Sequence, residues 1–343
     1  MTRLQILTAL LIIPFLPSLL PAQGFHNAKY ANEFLGLGVG GRYAGLGGSG
    51  TGIANDVTAG YFNPASLSLI RFPQVAILHE SRFAGQINYD YAAGALPLSA
   101  DQTIAVSAIR VGLDGIKDSR QALVDRNGNG VIDEDDRIDE TKIKVGGAAD
   151  WAVFGSYSRR IDSTLALGGS LKLLYRTILD NSAWGLGIDV SAMYRPIENL
   201  MLGATLSDAT KSLLSWDTGN QEFVVPSFRL GASYYYPVTE AHGLRPVVDG
   251  IFRFEGRHET TMLDLGVASL DVQGGLEYSY RDRIFVRGGY SEVGQLSVGA
   301  GIKLPKLNID YAFTQPSAEQ QDLFGPTHRI SLMLTLEEER YAR

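Results

Sequence analysis

A transmembrane antiparallel β-barrel of about fourteen strands, preceded by a glycine-rich N-terminal segment, is the fold this chain predicts from three observations. From residue 74 onward, apolar and polar residues alternate with period two in blocks of about ten residues divided by turn chemistry. After the first two dozen residues no run reaches the ~18 uncharged apolar residues of a spanning helix, so membrane residence requires strands. Glycine is abundant at 39 residues, and the aromatics are mainly 16 Tyr and 14 Phe, a usage typical of membrane barrels.

The chain divides into four parts. Residues 1–23 read as a cleaved secretory signal: Arg3, an apolar run from Leu4 to Leu20 broken by Pro14 and Pro17, then Pro21 and the small Ala22 and Gly24. Residues 24–72 form the N-terminal segment, 73–337 the barrel and 338–343 a charged tail. Strands fall near 75–81, 85–97, 102–112, 146–159, 163–176, 184–196, 199–208, 226–237, 244–256, 271–281, 283–292, 295–304, 306–315 and 327–336.

Two faces separate cleanly along these strands. In 165–176, Leu165, Leu167, Leu171, Leu173 and Tyr175 oppose Ala166, Ser170, Lys172, Leu174 and Arg176; in 275–281, Leu276, Tyr278 and Tyr280 oppose Glu277, Ser279 and Arg281. A membrane barrel turns its apolar face to lipid, which assigns Lys172, Arg176, Glu277, Arg281 and Lys303 to the lumen. The connections form an independent test. All four long ones, 113–145, 209–225, 257–270 and 316–326, follow odd strands, whereas those after even strands are short. Outer-membrane barrels alternate short periplasmic turns with longer outside loops, so the expected location is the bacterial outer membrane with both barrel ends in the periplasm. Trp216 and Phe223, in the loop 209–225, suggest either an adhesive patch or a girdle-edge loop.

Within the loop 113–145 stands DRNGNGVIDEDD, with the grammar of a calcium loop. Asp125, Asn127, Asn129, Asp133 and Asp136 supply side-chain oxygens, Val131 its carbonyl, and Gly130 the sharp turn. The expectation is one structural Ca²⁺, with Asp136 in place of the usual closing Glu.

Other functions lose support. A net charge of −7 with scattered Lys and Arg provides no basic stripe for nucleic acid, and the lack of Cys excludes disulfides and thiol chemistry. Gly45, Gly47 and Gly50 spell a G-x-G-x-x-G, but no apolar strand precedes it, and Leu69, Ile70 and Arg71 stand where a ribose-binding acid belongs. The five His lie outside metal-ligand spacing and no G-x-S-x-G occurs, so no enzyme is expected.

The segment GVGGRYAGLGGSGTGIANDVTAGYFNPASL resembles the opening signature of the PorV/PorQ family, within the wider group of FadL-like barrels. Gly41, Arg42, Gly45, Gly47, Gly48, Asp56, Ala59, Asn63, Pro64, Ala65 and Leu67 match, while Leu46, Phe62 and Ser66 replace the usual Met, Trp and Gly. The resemblance implies a fourteen-stranded outer-membrane barrel whose N-terminal segment plugs the lumen, with Asp56 and Asn63 bonding lumen-facing Arg and Lys. It further implies an accessory to type IX protein secretion, with secretion machinery or cargo C-terminal domains as partners. The FadL-like alternative is passage of a hydrophobic small molecule.

Overall fold

The computed structural model describes residues 33–82, 85–126, 128, 136–210, 212–255, 261–316 and 325–337. The expected signal and the charged tail lie outside them.

Fourteen antiparallel wall strands close on themselves. They are β1 (Gln74–Arg82), β2 (Ile87–Pro97), β3 (Gln102–Asp118), β4 (Lys144–Arg160), β5 (Leu165–Ile178), β6 (Asn181–Ile197), β7 (Leu200–Ser207 with Ser212–Trp216) and β8 (Gln221–Val224 with Ser227–Tyr234). The circuit continues through β9 (His242–Arg253), β10 (Ser269–Tyr280), β11 (Ile284–Tyr290), β12 (Leu296–Lys303), β13 (Leu307–Gln315) and β14 (Thr327–Thr335). Each pairs with its neighbour in sequence, and β1 closes the ring against β14, with Leu78 opposite Ser331. Closure leaves no unpaired sheet edge, which is what permits strands to cross hydrocarbon.

The alternation decides which face each residue takes. Leu171, Leu173, Leu276, Val286, Val298 and Ile302 point outward and are exposed, whereas Ser170, Lys172, Glu277, Ser279 and Ser297 on the same strands are buried inside. So large an apolar belt on the outside of a barrel is the surface of a bilayer-embedded wall. Tyr157, Tyr194, Tyr234 and Tyr236 ring its short-turn end, and Trp151, Trp184 and Tyr290 lie toward the other.

The wall is uneven. Strands β3, β4 and β6 run 17 residues each and β11 only 7. A tilted spanning strand needs ~9–11 residues, so the long strands stand above the bilayer at the long-loop end. Two expected loops shrink for this reason. The span 113–145 is strand to Asp118 and again from Lys144, and most of 209–225 is a hairpin continuing β7 and β8, with Ser212 opposite Val224. Trp216, half-buried on this hairpin, packs against the buried core.

Strand β7 breaks between Ser207 and Ser212. Leu206 pairs with Val190 and Leu213 with Leu186, so seven residues of β7 span four of β6. Asp208 takes a left-handed φ of 54° at this bulge.

Candidate functional site

The lumen holds residues 38–72, built from three short helical pieces: Gly41–Ala44, Ala59–Phe62 and the 3₁₀ turn Pro64–Leu69. Asn63 links the last two. Its side chain accepts the Ala65 N–H at 3.2 Å, and Pro64 follows as the first residue of the turn, where a missing N–H costs nothing. The helix before it is a single turn at Ala59–Phe62.

On the side formed by β4 to β8, hydroxyls meet the backbone of this segment. Ser158 Oγ donates to the Ala65 carbonyl at 2.7 Å and accepts from Ser68 N at 3.1 Å; Ser191 Oγ accepts from Ala65 N at 2.9 Å. Thr205 donates to the Phe62 carbonyl at 3.0 Å and Ser233 to that of Gly52 at 2.7 Å. Close approach needs bare wall: a Cβ added at Gly203 would fall on the Thr51 carbonyl oxygen. Between the two sides, Asp249 on β9 accepts from Gly50 N at 2.9 Å and Thr51 N at 3.0 Å.

The side formed by β10 to β14 uses charge. The Arg42 guanidinium makes a two-pronged bond to Glu277, 3.0 Å to each oxygen, and Arg287 donates to Glu277 at 2.8 Å and Asp310 at 2.6 Å. Arg329 on β14 donates to Glu80 at 2.6 Å and to the carbonyls of Gly38 and Leu37 at 3.1 and 3.0 Å. The signature glycines lie along this side. Gly41, Gly45 and Gly47 touch Asp310, Gly299 and Tyr290, Gly48 faces Gln273, and Gly47 needs its φ of 69° to turn the chain.

Other expected contacts are corrected. Asp56 bonds within the segment, accepting from Tyr43 Oη and Thr58 N at 2.9 Å each, and Asn63 donates to the backbone carbonyls of Thr51 (3.1 Å) and Ala192 (3.0 Å). Among the described residues neither binds a wall Arg or Lys, and the inward cations named from the sequence pair with wall carboxylates instead. Lys172 pairs with Asp208 at 2.7 Å and Asp189 at 3.3 Å beneath the β7 bulge, and Arg176 pairs with Asp150 at 2.5 Å. Arg281 is not a lumen residue: with a φ of 51° it sits exposed in the turn after β10, its guanidinium over Tyr280. Lys303 keeps the inward parity but reaches the mouth, where it pairs with Asp282 at 2.6 Å. Glu80, Asp249, Arg287, Asp310 and Arg329 were missed by the sequence reading. Their signal was present, since each is a charge on the inward parity of a strand.

An apolar strip climbs the lumen toward the long-loop end. Ile109, Ala152, Phe154, Leu174, Ala183 and Leu214 are buried in one cluster, with Leu35, Leu37, Tyr61 and Trp216 packed against it. At the short-turn end, below the inner segment, two cavities of about 520 and 540 Å³ adjoin and share Asn55, Leu69, Arg71, Tyr235 and Arg245.

Of the calcium-type loop, Asn127, Asn129, Val131 and Asp133 lie outside the described residues. The ends are described. A two-rung ladder pairs Leu123 with Ile138 and Val124 with Arg137, which sets Asp125 beside Asp136. Asp125 accepts from Gly128 N at 2.6 Å and Asp136 from Arg126 N at 3.1 Å. Just beyond, the hydroxyl and amide of Thr141 hold the Asp139 carboxyl below its usual range.

Comparison with known proteins places this architecture. The model of an uncharacterised protein family, UPF0164, matches residues 22–90. No curated protein sequence matches the chain. Among solved structures, the Pseudomonas putida toluene transporter TodX is similar with a TM-score of 0.55 and 12% identity, covering 88% of this chain and 99% of its own. The Ralstonia pickettii toluene transporter TbuX gives 0.53 at 12% identity over 88% and 99%. A Pseudomonas aeruginosa FadL homologue gives 0.50 at 12% identity over 86% and 98%. At this identity the likeness is one of fold, a closed barrel of the kind these three solved structures share.

Proposed function

We propose that this chain is an outer-membrane channel that passes hydrophobic small molecules from the outside toward the periplasm. The observation that carries the reading is the apolar strip of Phe154, Leu174, Leu214 and Trp216, which runs along the inner wall from its contact with Tyr61 toward the long-loop end. Water-filled pores have polar interiors, whereas an apolar inner stripe lowers the cost of desolvating a hydrophobic solute on its way in. The likeness to the two toluene transporters supports the same reading. In orientation, the short turns and both barrel ends face the periplasm and the tall rim of β3 to β8 faces outside.

The test is uptake of radiolabelled toluene by proteoliposomes of the purified chain. The expected result is uptake well above that of empty vesicles and lowered at least several-fold by Leu174→Asp. Equal uptake in both vesicle types rejects the channel.

A second reading, handling of type IX secretion cargo, is favoured by the signature residues Gly41, Arg42, Asn63 and Pro64. Pull-down from detergent-solubilised envelope separates the two: a large secretion partner or cargo C-terminal domain supports the second, retained hydrophobic ligand the first. The loop 125–136 fits a structural Ca²⁺ in this setting, since its ladder brings the first and last ligand positions together. Asp125, Asn127, Asn129, Val131, Asp133 and Asp136 would hold the ion, and chelation is expected to speed proteolysis there.

A further inference from the structure

The two cavities at the periplasmic end share an edge but not a charge balance. Away from the shared edge, the cations of the 540 Å³ cavity are answered: Arg42 and Arg287 by Glu277, Arg287 again by Asp310, and Lys303 by Asp282. The 520 Å³ cavity is lined by Arg71, Arg160, Arg195 and Arg245 against two carboxylates, Asp162 and Glu198. Asp162 is already engaged by its own turn, accepting from Thr164 N at 2.8 Å, Thr164 Oγ1 at 2.7 Å and Leu165 N at 3.0 Å.

Two of these arginines donate to carbonyls. Arg160 donates to the Ser68 carbonyl at 2.7 Å and Arg195 to that of Glu198 at 3.2 Å, while Arg245 stacks over Tyr235 and comes no nearer than 3.8 Å to Glu277. Among the described residues the buried Arg195 Nε has no hydrogen-bond partner, which is costly for a charged donor. The same cavity has an apolar floor of Leu69, Ala166, Met193 and Met201, which pack together.

The geometry points to a binding site for an amphipathic oxyanion, with a phosphate or carboxylate head between Arg71, Arg160, Arg195 and Arg245 and a short apolar body on the methionine floor. Guanidinium forks match tetrahedral and planar oxyanions, and the volume suits a small ligand. The site lies on the periplasmic side of the inner segment, away from the apolar strip, and stands whether or not the barrel transports anything.

Binding to the purified full chain in a non-ionic detergent tests it, using octyl phosphate, octanol and inorganic phosphate as probes. One octyl phosphate per chain is expected, bound at least tenfold more tightly than either octanol or inorganic phosphate. Arg71→Gln and Arg195→Gln together are expected to weaken it at least tenfold. Arg71→Gln alone provides a variant outside the described packing bonds, with a severalfold loss expected. Heat-modifiable migration of each variant on a gel establishes that the barrel is intact. Equal affinity for octanol overturns the oxyanion, equal affinity for inorganic phosphate overturns the apolar floor, and variants that bind as the parent overturn the site itself.

Discussion

The two sides of the lumen hold the same inner segment by different chemistry. The β4 to β8 side offers hydroxyls and bare glycine to its backbone, while the β10 to β14 side clamps it through Arg42, Glu277, Arg287 and Asp310. The hydroxyl side is a matter of shape: each bond is modest, worth about 1 kcal/mol net, and the fit depends on missing side chains. On the charged side, the pair is costly to bury and far costlier to break.

The largest expected effect is therefore at Glu277. Glu277→Gln leaves Arg42 and Arg287 short of a buried anion, and loss of one partner from such a pair costs about 3–5 kcal/mol. Faster proteolysis of residues 38–72 and a lower temperature for the heat-modified gel shift would register it. Next comes Gly203→Val, which drives a side chain into the Thr51 carbonyl at about 1–3 kcal/mol, the cost of overpacking. Planar-bilayer recordings are expected to show added leak conductance in this variant, and an unchanged conductance would break the claim that shape governs this side. Ser191→Ala removes one bond to Ala65 N and is expected to cost about 1 kcal/mol, seen as a small shift in the same gel transition.

Much of the wall was legible in the sequence because a period-two pattern leaves each side chain only two choices. Leu171 and Lys172 could be sent to opposite faces without knowing any partner. The inward position of Lys172 was readable in this way, but its partners were not: Asp189 and Asp208 come from β6 and from the bulge in β7, and nothing local in the sequence marks that bulge. Strand ends were less legible, since the tall rim of β3 and β4 runs past the bilayer with no change in alternation. Asn63 shows the limit for the inner segment. It was named from the signature as a plug residue, but its bond to the Ala192 carbonyl depends on a wall strand more than a hundred residues later.

The central claim, a segment seated inside a lipid-embedded ring, is tested most directly by cross-linking. The chain has no Cys, so Ala65→Cys with Ser191→Cys introduces the only thiols, at positions joined by a 2.9 Å hydrogen bond from Ala65 N to Ser191 Oγ. In native membranes the pair is expected to form a disulfide under mild oxidation, while Leu171→Cys alone reacts with a lipid-soluble maleimide and resists a water-soluble one. Failure of the disulfide together with ready water-soluble labelling at position 171 would contradict the account.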